Sequence, residues 1–535
     1  MSKKLFQNLL LIFIGIGLTN CANRGTPSGG EKDTEPPQII KSEPENFSTN
    51  FKGNEIRIYF NEYIKMKNLQ KQLIISPPME TQPDITPLGS ASKYIKIKIN
   101  DTLSPNTTYA FNFGVSIVDN NEENPYPYYR YVFSTGSYID SLSVSGQVFD
   151  AKERTTDQFV SVMLYEIDST YTDSVIYKRK PKYITNTLDS VTTFKIDNIK
   201  EGKYKLIALK EEISSYTFQP KTDKIGYYEG VVNVPTDSLF NIKLFYEELD
   251  FKVIRPRQDA GQKITFGYEG DYKNTQIEML EKTPEEFQYR ITKDPKTDTL
   301  YYWFKPKLDV DSTQFVVRNK SYVDSLKFRF RDLEIDTLVI NPLTTGIIHF
   351  DQDFKLQANI PFDKIDKKQI AILDKDSLVV PFTISLDQLE NIYSFKFDRK
   401  ESDVYKIQML PNTFEDFFGN TNDTLNYSLR TNKKSDYGNI RVRLINPKFP
   451  LIVQLVDAKG VVQYEKYTTE SSVIDFNDLL PKQYYLRAIF DTNGNKKYDS
   501  GSFLKHQQPE RISYSQDIDA VRANFDFIID FILQD

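Results

Sequence analysis

The chain is poor in the residues from which reactive sites are commonly built. Among 535 residues there is one cysteine, Cys21, two histidines, His349 and His506, and one tryptophan, Trp303. A single cysteine excludes an intrachain disulfide framework and a zinc site held by several thiolates. The two histidines stand far apart in sequence, so a two-histidine metal site or a Ser-His-Asp triad would require a long-range meeting. No glycine-rich phosphate loop follows a strand and opens a helix. No run of lysine and arginine points to nucleic acid, and both signs of charge are spread along a chain of net charge −6. Carboxylates are plentiful, yet nothing singles out a pair as the acid and base of a glycosidase. After the first twenty residues no long stretch carries apolar residues at helical spacing, apart from short candidates such as Lys67 to Leu73.

What the chain does have is aromatic and alternating. It holds 34 Tyr and 37 Phe, a bias of strands. "YIKIKI" (residues 94–99), "LKFRF" (326–330), "FKF" (395–397) and "IRVRL" (440–444) alternate apolar and charged residues, which turns one set of side chains inward and the other to water. Turn-forming clusters recur about every eight to twelve residues, the spacing of antiparallel sandwiches. The expected fold is all-β, a tandem series of antiparallel β-sandwiches, with ample length for several cores.

The N-terminus carries an address. Lys3 and Lys4 precede the apolar run Leu5 to Leu18, which has the length of a secretory signal and is short for a membrane span. The run ends in "LTNC", which resembles the lipobox of bacterial lipoproteins. That resemblance implies removal of residues 1–20, diacylation of Cys21 and a lipidated linker over 21–36. Each buried acyl methylene contributes about 0.8 kcal/mol, so several chains on one cysteine tether a protein durably to a membrane that it does not cross.

Two internal repeats divide the rest. "EPPQIIKSEPENFSTNFKGNEIRIYFNEYI", "LSPNTTYAFNF", "SIVDNNEENP" and "VFSTG" together resemble the bacterial Ig-like domain first described in S-layer proteins. The pattern returns in "DVYKIQML", "EDFFGNTNDT" and "YSLRT", where Tyr405, Asp416, Gly419, Asn420 and Thr431 answer to Tyr109, Asp119 and Thr135 of the first copy. Ig-like units are therefore expected at 37–136 and 336–432. "FKIDNIKEGKYKLIALKE" (194–211) aligns without a gap with "IDFNDLLPKQYYLRAIFD" (474–491). Both are similar to the hairpin of prealbumin-like or carboxypeptidase-regulatory-like sandwiches, which places such modules at 137–246 and 433–535. Residues 247–335 are β-rich by alternation and match no template.

Two motifs have ligand or modification character. In "DTNGNKKYDSG" Asp491, Asn493, Asn495 and Asp499 stand at positions 1, 3, 5 and 9, as oxygen donors do around calcium, with Lys497 offering a carbonyl. The stretch resembles the start of an EF-hand-like loop but has Lys496 where glycine belongs and lacks the closing glutamate. The alternative is an Asn493-Gly494 turn within the hairpin. Calcium is the one cofactor the sequence suggests. The second motif is a repeated Asp-Ser/Thr-apolar triplet at Thr102, Ser141, Ser174, Ser190, Ser238, Thr299, Ser325, Thr337, Ser377 and Thr424. It resembles the O-glycosylation acceptor of exported proteins of the Bacteroidota; the alternative is strand entry, with Asp in the turn.

The start "CANRGTPSGG.KD...PP" resembles a family of Bacteroidota outer-membrane lipoproteins with an N-terminal Ig-like domain. Ala22 after the cysteine agrees with release to the outer membrane, and "EKDTE" (residues 31–35) is similar to signals that carry such lipoproteins to the cell surface. The function that follows is a non-catalytic interaction scaffold, a rod or canopy of five sandwiches held at the outer membrane by its acyl chains. The resemblance points to an outer-membrane protein partner, such as a machine that assembles β-barrels and surface lipoproteins, and to no nucleic acid. A surface adhesin or glycan-binding module is the alternative, with a hydrolase as a third class.

Overall fold

The structure, a computed structural model, describes residues 32–188, 191–281 and 283–534. Cys21 and Ser190 lie outside the described residues. Within them the chain is all-β: one short helix, Leu69–Gln72, three 3₁₀ turns, and otherwise strands in antiparallel-dominated sheets. Alternation explains the strands. In Glu55–Met66, Ile56 and Ile58 are fully buried and Phe60 is 2% exposed, with polar residues between them. Each such side chain contributes about 1.5–3 kcal/mol relative to exposure.

The first sandwich sets Ile39–Glu43, Glu55–Met66, Ser92–Lys98 and Asp84–Thr86 side by side in one sheet and Ile74–Ser76, Thr108–Asn112 and Arg130–Ser134 in the other. The fourth repeats this order with Ile340–Pro342, Phe354–Ala358, Ile392–Phe397 and Phe382–Asp387 facing Ile370–Leu373, Val404–Met409 and Leu425–Arg430. Their corners agree atom for atom. The Tyr109 hydroxyl accepts the N–H of Ser104 at 2.9 Å, and that of Tyr405 accepts the N–H of Lys400 at 2.6 Å. Thr135 Oγ1 donates to the Ser104 carbonyl and accepts from Thr107 N–H, while Thr431 Oγ1 donates to the Lys400 carbonyl and accepts from Asp403 N–H. Asp119 and Asp416 each cap a turn by accepting backbone N–H groups two to five residues downstream. These local bonds explain the spacing of the motif, because removing one partner leaves a backbone donor unpaired.

The segment 247–335, which had no template, adopts the same order. Arg257–Ala260, Lys263–Glu269, Thr299–Lys305 and Gln288–Lys293 face Gln276–Met279, Ser312–Asn319 and Tyr322–Arg329.

The second and fifth sandwiches share a different order. Thr193–Ile199, Leu142–Asp150 and Leu239–Leu244 match Val473–Leu479, Gly438–Ile445 and Asp526–Ile532, and in both the last pair is parallel. The facing sheets are Tyr183–Asn186, Ser161–Glu166, Gly202–Lys210 and Lys224–Tyr227, and Val462–Thr468, Leu451–Val456, Tyr485–Phe490 and Ile512–Tyr514. Buried Tyr204 donates its hydroxyl to the carbonyl of Lys200, and Tyr484 does so to Leu480, both at 3.0 Å. Asn198 and Asp478 occupy the equivalent left-handed turn position, with φ of 60° and 55°.

Contacts join consecutive units. Arg130 reaches Asp197 and Asn198 between the first and second at 2.6 and 2.7 Å. Lys221 meets Glu269 between the second and third at 3.0 Å. Trp303, 1% exposed, packs with Ile360 and Phe417 between the third and fourth. Tyr437 packs on His349 and Phe350 between the fourth and fifth. The fifth sandwich then returns to the second, so the string is closed. The reason is a loop of the fifth unit whose apolar residue finds its burial on the second.

Candidate functional site

That loop spans residues 491–511 and contains the calcium-like motif. Tyr485–Phe490 and Ile512–Tyr514 are paired neighbours, so the whole segment is an excursion between them. Asn493-Gly494 does form a turn, one that lies inside this long loop, with Gly494 at φ +73°.

The four motif residues do come together. Asp491 is fully buried and accepts the N–H groups of Asn495 and Lys496 at 3.1 and 2.9 Å. The side-chain amides of Asn493 and Asn495 both donate to Asp499 Oδ2, and their oxygens accept from Asn495 N–H and Lys497 N–H. Glu510 completes the loop from its far end. It is 8% exposed and accepts from Thr492 N–H and Oγ1 at 2.7 and 3.0 Å and from Asp499 N–H at 3.1 Å. Sequence spacing missed Glu510 because the fold, not the motif, brings it there. Among the described residues no three His, Cys, Asp or Glu side chains are grouped as metal ligands, so an ion here would draw on the asparagine oxygens as well.

The outer part of the loop docks on the second sandwich. Phe503 is fully buried in a cluster with Ile225, Tyr227 and Phe245, its ring 5.1 Å from that of Tyr227 at 72°. Ser500 Oγ donates to the Tyr246 carbonyl, Phe503 N–H to Glu247, and Tyr514 hydroxyl to the Lys152 carbonyl at 2.8 Å. Burial raises the Glu247 carboxyl above its ordinary range, with the Phe503 N–H opposing. Burial lowers the pKa of Lys497, but Glu248 and Asp499 outweigh it and the net shift is upward. Gly501 permits the approach, since a Cβ there would stand 2.5 Å from the Phe245 ring. Arg154 pairs with Asp517 and lies 4.8 Å over the Tyr485 ring.

The triplet residues are dispersed. Thr102, Ser141, Ser174, Ser238, Ser325, Thr337, Ser377 and Thr424 are exposed, and Thr299 is half-buried. Among the described triplets four open strands, at Leu142, Leu239, Thr299 and Leu425; Ser325 lies within a strand, Ser174 in a 3₁₀ turn, Ser377 in a turn, and Thr102 and Thr337 in irregular backbone, so strand entry accounts for only part of the motif. His349 and His506 are not brought together: one packs against Tyr437 with the rings tilted at 55°, and the other meets Asp173 at 3.2 Å on the second sandwich. No helix among the described residues is long and apolar enough to cross a membrane.

The fold therefore defines a multi-sandwich protein whose first unit is Ig-like. Residues 33–135 match the family model of a bacterial Ig-like domain. No curated protein matches the chain. Solved structures similar to it include surface layer protein SbsC, domains 1–6, at 10% identity over 91% of this chain and 67% of that one, with a TM-score of 0.15. The Bacillus anthracis TIE protein is 10% identical over 100% of this chain and 79% of its own, TM-score 0.15. The BSP domain of a biofilm-associated protein is 8% identical over 86% and 93%, TM-score 0.15.

Proposed function

We propose that the protein is a non-catalytic, lipid-anchored scaffold of the outer membrane, facing the cell exterior and serving an outer-membrane protein partner. In this reading Cys21 carries the acyl chains, the Ig-like units and the prealbumin-like units alternate with the third sandwich to form the body, and the exposed triplets carry O-linked glycans. The observation that supports it most is the brace between the second and fifth sandwiches. It converts a flexible string into a body that holds edges in fixed positions, which a scaffold needs and a spacer does not.

One such edge is the strand Asp526–Ile532, at the border of its sheet, where Ile528 and Ile532 are 64% and 62% exposed. An apolar open edge is the surface on which an extended segment of a partner adds a strand. We assign this edge to the partner, in the first instance a subunit of the machine that assembles β-barrels and surface lipoproteins. Purification from native membranes in mild detergent tests the reading: a stoichiometric barrel partner is expected, and it should be lost from the Ile528→Asp, Ile532→Asp protein. Recovery of the wild-type protein alone would count against the scaffold.

A glycan-binding or adhesive role is the second reading, favoured by Phe47, Tyr63, Tyr128 and Tyr138 on the first sandwich and its border, which are 56–60% exposed. Aromatic faces of this kind stack on sugar rings, and their substitution by alanine should then abolish retention on a glycan column.

A further inference from the structure

The third sandwich has a lateral seam of unusual charge. Its edge strand Arg257–Ala260 and the edge strand Tyr322–Arg329 of the facing sheet do not pair. The Gln258 side chain bridges them instead, Nε2 donating to the Arg331 carbonyl at 3.1 Å and Oε1 accepting from Arg331 N–H at 2.7 Å. Along this seam opens a cleft of about 660 Å³ whose lining includes Arg255, Arg257, Lys327, Arg329 and Arg331 and no carboxylate.

The pattern is built by strand period. Lys327, Arg329 and Arg331 alternate with Phe328, which is 6% exposed, so three cations spaced about 6.7 Å apart share one side. Arg255 and Arg257 flank Pro256 in the same way from the opposite wall. Only Arg257 has an ion-pair partner, Asp259 at 3.1 Å; the other four cations make no salt bridge among the described residues.

Five like charges line one cleft of a chain of net charge −6, and of their neighbours only Asp259, paired with Arg257, offsets them by an ion pair. A groove lined by one sign of charge focuses its potential on a counter-charged ligand. Four of the five are arginine, whose planar fork matches phosphate in a bidentate way. The volume lies within the range of about 300–1,000 Å³ typical of small-ligand sites. Partly buried Phe330 supplies apolar surface beside the charges.

We propose that this cleft binds a compact molecule carrying two or more phosphate groups, of the size of a phosphorylated sugar, presented either on a lipid or free. The test uses the full chain with Cys21→Ser, so that no acyl chain inserts into membranes. Titration calorimetry with inositol trisphosphate should show binding that weakens as salt is added. Arg329→Glu with Arg331→Glu should lower the affinity at least tenfold, and the uncharged pair Arg255→Gln, Lys327→Gln should weaken it in the same direction with an unchanged melting curve. Co-sedimentation with phosphatidylcholine vesicles doped with phosphatidylinositol bisphosphate, absent in the charge-reversed protein, identifies a lipid-borne head group. Binding of the trisphosphate without sedimentation identifies a free ligand. No binding at low ionic strength, or equal affinity in the wild type and both variants, overturns the proposal.

Discussion

Phe503→Ala should release the fifth sandwich from the second without unfolding either. Phe503 is fully buried, and its ring packs edge-on against Tyr227 at 5.1 Å. Truncating a buried phenylalanine costs about 3–5 kcal/mol, and the lower end applies here because a seam can relax or admit water more easily than a closed core. The remaining contacts, which also include those of Ser500 with Tyr246, Phe503 N–H with Glu247, Lys497 with Glu248 and His506 with Asp173, are individually weaker. The Arg154–Asp517 pair is exposed and contributes at most about 1 kcal/mol. The Tyr514 hydrogen bond to the Lys152 carbonyl contributes about another 1 kcal/mol. A loss of about 3 kcal/mol therefore exceeds either of them. Small-angle scattering should report a larger radius of gyration, and amide exchange should accelerate in residues 491–511, while protection around Tyr204 and Tyr484 persists. Unchanged scattering and unchanged exchange in the loop would refute the assignment of Phe503 as the anchor of the brace.

Three further outcomes follow from individual side chains. Burial raises the Glu211 carboxyl from 4.5 to about 7, against the N–H of Tyr216, so the folded state holds this proton more firmly than the unfolded one. Its contribution is complete below pH 4.5 and is lost as pH rises through about 7. Glu211→Gln should therefore raise the melting temperature above that window and change little below it, the gain in stability being at most about 3.5 kcal/mol at about 1.4 kcal/mol per pKa unit; equal gains at both ends would contradict the burial argument. Tyr405→Phe removes the oxygen that accepts the Lys400 N–H and should destabilise the fourth sandwich by about 1–3 kcal/mol in urea titration, with Tyr109→Phe doing the same to the first. If the Asp491 loop holds calcium, calorimetry of the full chain should show a transition that rises with added calcium and falls with EDTA. Coincident transitions would leave the loop as a structural brace alone.

Strand alternation was readable in the sequence because period-two burial writes itself into every edge, as in Ile440, Val442 and Leu444. The corner of the Ig-like repeat was readable for a related reason: Tyr109 and Tyr405 bond five residues upstream, so geometry appears as spacing. The third sandwich has the same strand order with no such corner motif, and it passed as an unassigned β-rich segment. Long-range features left no local trace. Phe503 looks like any loop aromatic until Tyr227 and Phe245 are seen against it. Glu510 reaches Thr492 and Asp499 because strand pairing brings the two ends of the loop together, and the cation cleft is assembled from two segments that nothing in the sequence connects.

Display of the protein outside the cell is tested most directly by one labelling measurement. Cys21 is the only cysteine, and the proposal consumes it by acylation, so an added thiol is the single reactive one. Lys459→Cys places it at an exposed position of the fifth sandwich. A membrane-impermeant maleimide should label this protein on intact cells as fully as on broken ones. Labelling that appears only after the outer membrane is permeabilised would place the protein on the periplasmic face and contradict the surface scaffold.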